Sequence, residues 1–535
     1  MKQRFLLVFV VLATIVFSSC SNENTTQESD VQSLGEVTEF ASVDSGVLFK
    51  TKTRTTGIYD GFKIKFYWTP GDKLWINNPT APSVFTQSVK DDIDKRIAVS
   101  KDGKSKYANF YFSGTLTANS YKLRYTGKGN PASDKVTIKA QQTQQTSNDA
   151  SHIGADGDCG TATATKNGGR YEFALDHKAA YLTFTPFYCL EELDNSVTIE
   201  SIMVSANENL AGTFNFNDDG IQTASVTSPS KRVTLSLGGG FNIPYSIDYA
   251  KCAAIMVVAP GTYTNFTVEY HLRDSETGVT GTVSKTYPSV KLNAGRNKPV
   301  AFNFTLDKYD MNYYMWDAGK PYWDGYKGKL PVKDGEQAAY GGVGTNRYYN
   351  GNKTQLYAVN ACKVCPNANE AALYVFRGNP HWDETTLWVK NKHLYKGGMW
   401  FLKLKYCNGG PYTSPVKAYP GGKDYCANSY WSTWDENNKT VGSDKWIKVP
   451  SQGKPADTSK YFYLPAMGYL DNDGGKQGLL KLKTAGYQGA YWTSTSVLFG
   501  GWSQQAICLH FSKDQVGLDA DLRWWAYPIF TVADK

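Results

Sequence analysis

Apolar and polar residues alternate with a period of two along much of this chain, a pattern that only strands with one buried face can satisfy. Phe62, Ile64, Phe66 and Trp68 alternate with Lys63, Lys65 and Tyr67, and Val233, Leu235 and Leu237 with Arg232, Thr234 and Ser236. Further on, Phe266, Val268, Tyr270 and Leu272 alternate with Thr267, Glu269, His271 and Arg273, and Val300, Phe302, Phe304 and Leu306 with Ala301, Asn303 and Thr305. Clusters of Gly, Pro, Asn and Asp separate these runs and no long amphipathic helix interrupts them, so β-sandwiches are predicted. At 535 residues the chain is too long for one hydrophobic core, and several domains are expected.

The aromatic residues place the main boundary. Of 14 tryptophans only Trp68 and Trp75 precede Lys308, so a different packing style starts near residue 310. A second, less marked change falls near Phe187. The polar, Gln-rich tract from Gln141 to Asn148 reads as an exposed loop. In the last segment Asn369 is placed to cap a short helix over Glu370 to Phe376, and the remainder reads as turns and short strands.

The amino terminus carries a leader. Lys2 and Arg4 precede a thirteen-residue apolar run, Phe5 to Phe17, and Ser18, Ser19 and Cys20 follow. That run is too short for a permanent span and has the anatomy of a secretory signal. Small residues directly before Cys20 resemble a bacterial lipobox, which implies cleavage before Cys20 and its lipidation. The polar stretch from Ser21 to about Ser45 is a tether by composition. Eight cysteines remain after Cys20, enough for up to four disulfides whose pairing the sequence leaves open. Cys362 and Cys365 form a CxxC that fits a redox pair or half a zinc site. With no second CxxC and no closely spaced histidines, a structural role is the preferred reading.

Several ordered segments then carry a resemblance. Lys52 to Thr56, Trp68 to Ile76 (WTPGDKLWI), Leu175 to Pro186 (LDHKAAYLTFTP) and Val290 to Asp307 (VKLNAGRNKPVAFNFTLD) resemble the fimbrillin family of Bacteroidales surface lipoproteins, of the Mfa-like and FimA-like kind. Residues 310 to 535 resemble the C-type-lectin-like modules that some of them carry. The segments concerned are Gly378 to Asp383, Tyr395 to Trp400, Tyr461 to Gly474 and Tyr491 to Ser496. The resemblance implies a mainly β chain: two tandem transthyretin-like β-sandwich domains followed by an irregular α+β lectin-like domain. Its divisions are a signal peptide at 1–19, a lipidated tether at 20–46, sandwiches at 47–186 and 187–309, and the lectin-like domain at 310–535.

It also implies proteolytic processing after Arg54, which removes a first strand so that a donor strand from a neighbouring pilin can fill the groove. The expected function is thus a structural and adhesive fimbrial subunit at the cell outer membrane. A tip position follows because the sandwich sequence continues into another domain instead of ending as a free donor. The alternative is a non-polymerising, lipid-anchored surface protein that binds a glycan or a protein.

Chemistry is sparse. No HExxH, GxSxG, GxxxxGK[ST] or GxGxxG string occurs, the EPN, QPD and WND strings of lectin calcium sites are missing, and no cofactor or metal is expected. Asp471, Asp473 and Gly474 echo the start of an EF-hand loop but lack its closing acidic residue, so a turn is the reading. The chain is taken as non-enzymatic. Its 57 basic and 49 acidic residues give +8, or +6 once Lys2 and Arg4 leave, without a basic stripe, which argues against nucleic acid. Trp492, Trp502, Trp524, Trp525 and Tyr527 are candidates for a platform against a host or bacterial glycan or protein, although tryptophans in such modules more often fill the core.

Overall fold

The computed structural model describes residues 36–43, 56–338, 345–352, 354–409, 446–471, 480–497 and 504–531. The chain is mainly β. No helix among these residues is long and apolar enough to cross a membrane.

The first core forms against one nine-stranded sheet. Its order runs Ala81–Gln87, Trp75–Asn78, Ser120–Tyr125, Gly160–Asn167, Arg170–Phe173, Val37–Ser42, Asn109–Ser113, Lys90–Asp91, with Asp176–His177 beside Gly160–Asn167. Ile76 and Leu123 from one arm meet Phe110 and Phe112 from the other, with Phe40, Trp68, Tyr125 and Tyr171 between them.

The second core lies between a five-stranded sheet (Gln141–Gln144, Arg232–Asn242, Val197–Ser205, Gly261–Asp274, Thr280–Leu292) and a three-stranded one (Ala254–Val258, Ala180–Phe187, Asn297–Asn303). This moves the predicted division at residue 187. Ala180–Phe187 is the central strand of the second unit, pairing antiparallel with Ala254–Val258 and parallel with Asn297–Asn303. The chain also crosses over earlier: Val136 and Ile138, and the hairpin residues Tyr59, Ile64 and Phe66, all pack into the second core. The two units are interleaved, and a buried Asp158–His177 pair, 2.8 Å apart, sits where the chain passes between them.

The first half of the Gln-rich tract is strand, not loop, while residues 145–148 form a turn. Gln141–Gln144 pairs in parallel with Arg232–Asn242, and Gln142 and Gln144 are buried. Their amides copy a backbone ladder: Gln142 Nε2 donates to Val257 O at 2.7 Å and its Oε1 accepts from Val257 N at 3.0 Å. Gln144 does the same with Ala253 O at 3.0 Å and Ile255 N at 2.7 Å. The tract thereby satisfies the outer edge of Ala254–Val258 and joins the sheets on that side, something a composition rule cannot see. Phe62 is a second correction. It is 89% exposed, because Asp60 Oδ1 accepts from the N–H groups of Phe62 and Lys63 and holds a turn where the alternation suggested strand.

The C-terminal region begins with Asp307–Tyr309, which pairs in parallel with His381–Lys390. Three sheets and the helix Ala368–Arg377 follow. The opening strand Tyr313–Met315 pairs with Ala526–Pro528, so the beginning and end of the region close on each other. The helix is capped by Asn367 rather than Asn369: Asn367 Oδ1 accepts from Glu370 N at 2.9 Å, and Glu370 Oε2 accepts from Asn367 N at 2.9 Å. Asn369 lies buried inside the first turn. The seven cysteines among the described residues are free thiols, and Cys362 Sγ accepts the Asp317 N–H at 3.1 Å.

Candidate functional site

Two places in this architecture can engage another molecule. The first is the berth of the strand Val37–Ser42, which corrects the expectation of a tether over 20–46, since Phe40 and Ala41 are buried and paired on both sides. It runs antiparallel to Asn109–Ser113 from Val37↔Ser113 to Ala41↔Asn109, and parallel to Arg170–Phe173 from Phe40↔Tyr171 to Ser42↔Phe173. A strand paired on both sides holds two rows of backbone groups that would otherwise be open edges. Its side chains are equally committed. Phe40 is fully buried, stacked on Tyr171 at 4.6 Å between centroids and meeting Phe112 edge-on at 4.9 Å. Ser42 Oγ accepts from the buried Trp68 Nε1 at 3.2 Å and from Ala108 N at 2.8 Å. The berth is therefore shaped for a large apolar residue and, two positions on, a hydroxyl.

The second place is the joint between the second unit and the C-terminal region. Asp274, at the end of Gly261–Asp274, is completely buried, and its Oδ2 accepts from His393 Nδ1 at 3.0 Å and Leu394 N at 3.0 Å. Burial alone would raise this carboxyl. The His393 hydrogen bond, the backbone N–H groups of Glu276 and Leu394 and the His393 charge overcome that and bring it down to about 2. Thr277 Oγ1 adds a bond to Leu394 O at 2.9 Å, and Leu387, Val389 and Leu394 complete the second core from the far side.

A cleft of about 350 Å³ opens beside this joint, lined by Glu276, Lys333, Asp334, Tyr395, Lys396 and Tyr487 among others. Tyr487 is 72% exposed on a turn whose Gly486 has φ +88°. An aromatic ring in one cleft with carboxylates and ammonium groups can pack against the apolar face of a polyhydroxylated or peptide ligand while the charges bond its polar groups.

The residues singled out from sequence fall differently. Cys20, Arg54 and Trp502 lie outside the described residues, as do Asp473 and Gly474. Trp492 and Tyr527 do not form a surface platform: both are fully buried and stack on each other at 4.3 Å in a core patch with Trp316 and Cys508. Trp492 Nε1 donates inward to Tyr314 O at 2.7 Å. Their neighbours Trp524 and Trp525 are half-buried. Sequence reasoning passed over Tyr487, whose signal was an aromatic set within the glycine turn Thr484 to Gly489, and over Ser42 and Asp274, for which no local signal existed.

No family model matches the chain, and no curated protein matches it. Among solved structures it is similar to a candidate cell adhesion protein from Bacteroides ovatus, at 14% identity over 50% of this chain and 93% of that one, with a TM-score of 0.31. A fimbrial protein from Bacteroides ovatus matches at 11% identity over 92% of this chain and 98% of that one, TM-score 0.24. Candidate polysaccharide-binding proteins from Bacteroides thetaiotaomicron match at 12% identity over 46% and 80%, TM-score 0.21.

Proposed function

We propose that this protein is an adhesive surface subunit that joins a fimbria by accepting a neighbour's strand into the berth now held by Val37–Ser42. The observation that carries the reading is the place of that strand in the chain. It precedes Arg54 in sequence yet lies inside the sheet, so one cut after Arg54 would leave it held by non-covalent contacts alone. Its departure would expose the backbone of Asn109–Ser113 and Arg170–Phe173 and orphan the indole N–H of Trp68. Filling both with another chain's strand restores the pairs without catalysis. The leader ending just before Cys20 supports export and anchorage at the outer membrane before processing. The sandwich sequence continues into the C-terminal region, which favours a tip position, with that region presented outward to its ligand.

The test is to treat the chain from Cys20 onward with a trypsin-like protease, map the cut by mass spectrometry, and follow release of the fragment containing Val37–Ser42 and the appearance of strand-linked oligomers with a pilin. Arg54→Ala should block both. A cut protein that keeps its strand against excess competing peptide and never enters filaments would remove this reading. It would leave a non-polymerising, lipid-anchored binder, the second reading, which the cleft under Tyr487 favours.

A further inference from the structure

A thiol, an imidazole and a carboxylate converge on the sheet at the end of the C-terminal region. Gln505–Ser512 and Gln515–Leu522 pair so that Ala506 lies opposite Asp521, Cys508 opposite Asp519 and His510 opposite Gly517. Alternation along a strand then puts Cys508, His510 and Asp521 on one face. There the Cys508 thiol donates to Asp521 Oδ2 at 3.0 Å, His510 Nε2 lies 2.6 Å from the same oxygen, and the Tyr527 hydroxyl donates to it at 2.7 Å. Three donors thus crowd one carboxylate oxygen, while the ligand atoms of Cys508, His510 and Asp521 all lie within 4.8 Å of one another.

We propose that Cys508, His510 and Asp521 form a structural binding site for a zinc-class dication. Sulfur, imidazole nitrogen and carboxylate oxygen are the donors such an ion takes, whereas calcium and magnesium prefer oxygen alone. Tetrahedral zinc with bonds of about 2.0–2.3 Å holds its ligand atoms roughly 3.3–3.6 Å apart, so the contacts to Oδ2 need to open by about half an ångström or somewhat more. Rotation of the carboxylate provides this on one side. Opposite His510, Gly517 has no side chain to block the ring.

The fourth position is left to water or to the Tyr527 hydroxyl. Trp446, Tyr469 and Tyr527 surround the imidazole at centroid distances of 5.7, 6.2 and 5.7 Å, a dry wall in which ionic bonds strengthen. The His510 and Asp521 side chains remain 16% and 14% exposed, which gives an ion its entry.

Binding balances simply. The metal–sulfur bond forms as the S–H bond breaks, the metal–nitrogen bond forms as the hydrogen on His510 Nε2 is given up and the ring stays neutral with its hydrogen on Nδ1, the released protons leave to solvent, and thiolate and carboxylate together neutralise the dication. Without the ion, burial and the Asp521 charge push the Cys508 thiol well up, so it is a hydrogen-bond donor. Its contact with the carboxylate rather than the imidazole is not that of an activated nucleophile. Occupied, the site would tie Gln505–Ser512 to Gln515–Leu522 independently of their ladder.

The experiment uses the full chain from Cys20 onward, stripped with EDTA and titrated with Zn²⁺ and with Co²⁺. One equivalent is expected, with a thiolate-to-cobalt charge-transfer band and a raised thermal midpoint in Zn²⁺. Cys508→Ser should abolish the band and Asp521→Asn should weaken binding tenfold or more, while Cys362→Ser with Cys365→Ser leaves both intact. If Cys508→Ser does not fold, His510→Gln serves as the second variant, and circular dichroism checks each. Absence of binding, a cobalt spectrum without the thiolate band, or a band that survives Cys508→Ser but is lost in the Cys362/Cys365 double variant would overturn the site.

Discussion

Truncating Phe40 to alanine separates the strand berth from an ordinary piece of sheet. Phe40 has no exposed area and contacts three rings, Tyr171 at 4.6 Å, Phe112 at 4.9 Å and Tyr121 at 5.8 Å. Removing a buried phenylalanine costs about 3–5 kcal/mol, and aromatic pairs of this kind contribute about 0.5–1.5 kcal/mol of it beyond area. In the intact chain that loss appears as lowered stability of the first unit. After a cut at Arg54 it appears as weaker retention of a detached strand. At about 1.4 kcal/mol per factor of ten, 3 kcal/mol corresponds to roughly a hundredfold shift. The assay follows the fragment containing Val37–Ser42 by size-exclusion chromatography and mass spectrometry after protease treatment, alongside Val37→Ala on the same strand, whose side chain is 41% exposed. Fragment release should be strongly accelerated in Phe40→Ala and close to unchanged in Val37→Ala. Equal release from the two variants would show that the berth is not gripped through Phe40, and the account of what a replacement strand must supply would fail.

Ser42→Ala leaves the Trp68 indole N–H and the Ala108 N–H without their acceptor, and should cost about 1–3 kcal/mol in urea unfolding of the first unit. The depressed Asp274 carboxyl contributes stability that is present above its unfolded pKa, near 4, and is lost as pH falls through about 2. The difference between wild type and Asp274→Asn should therefore shrink by about 2 kcal/mol over that window, as measured by denaturant titrations at stepped pH. Lys390 shifts the other way. Burial brings its ammonium down to about 7, with Nζ donating to Tyr313 Oη at 3.0 Å and Met467 O at 3.2 Å. The unfolded chain binds the extra proton between about pH 7 and pH 10, so stability should rise across that range by an amount on the order of 5 kcal/mol, and Lys390→Met should flatten the rise. Phe62→Ser, at 89% exposure, should change stability by no more than about 0.5 kcal/mol, whereas Gln144→Ala, which strands the Ile255 N–H and leaves Ala253 C=O with only the Asn148 N–H as donor, should cost about 1–3 kcal/mol in the second unit.

Period-two alternation determined that this chain is built of strands, because side chains on a strand face opposite ways and only one face can be buried. Val233, Leu235 and Leu237 are buried as that pattern requires, and so are Phe266, Val268, Tyr270 and Leu272. The change in tryptophan density near Lys308 is likewise a local signal, readable without knowing which strands pair. Tertiary structure decided the rest. Whether Gln142 and Gln144 face water or an open sheet edge depends on Ala254–Val258, more than a hundred residues away, and polar composition is the same in either case. Trp492 and Tyr527 have the composition of a binding surface, yet the strand of Tyr527 pairs with the start of its own region, that of Trp492 pairs with Gln505–Ser512, and the two rings stack on each other inside. The berth of Val37–Ser42 and the convergence of Cys508, His510 and Asp521 exist only through pairing register, since a strand's sequence specifies which residues share a face but not which strand lies beside it.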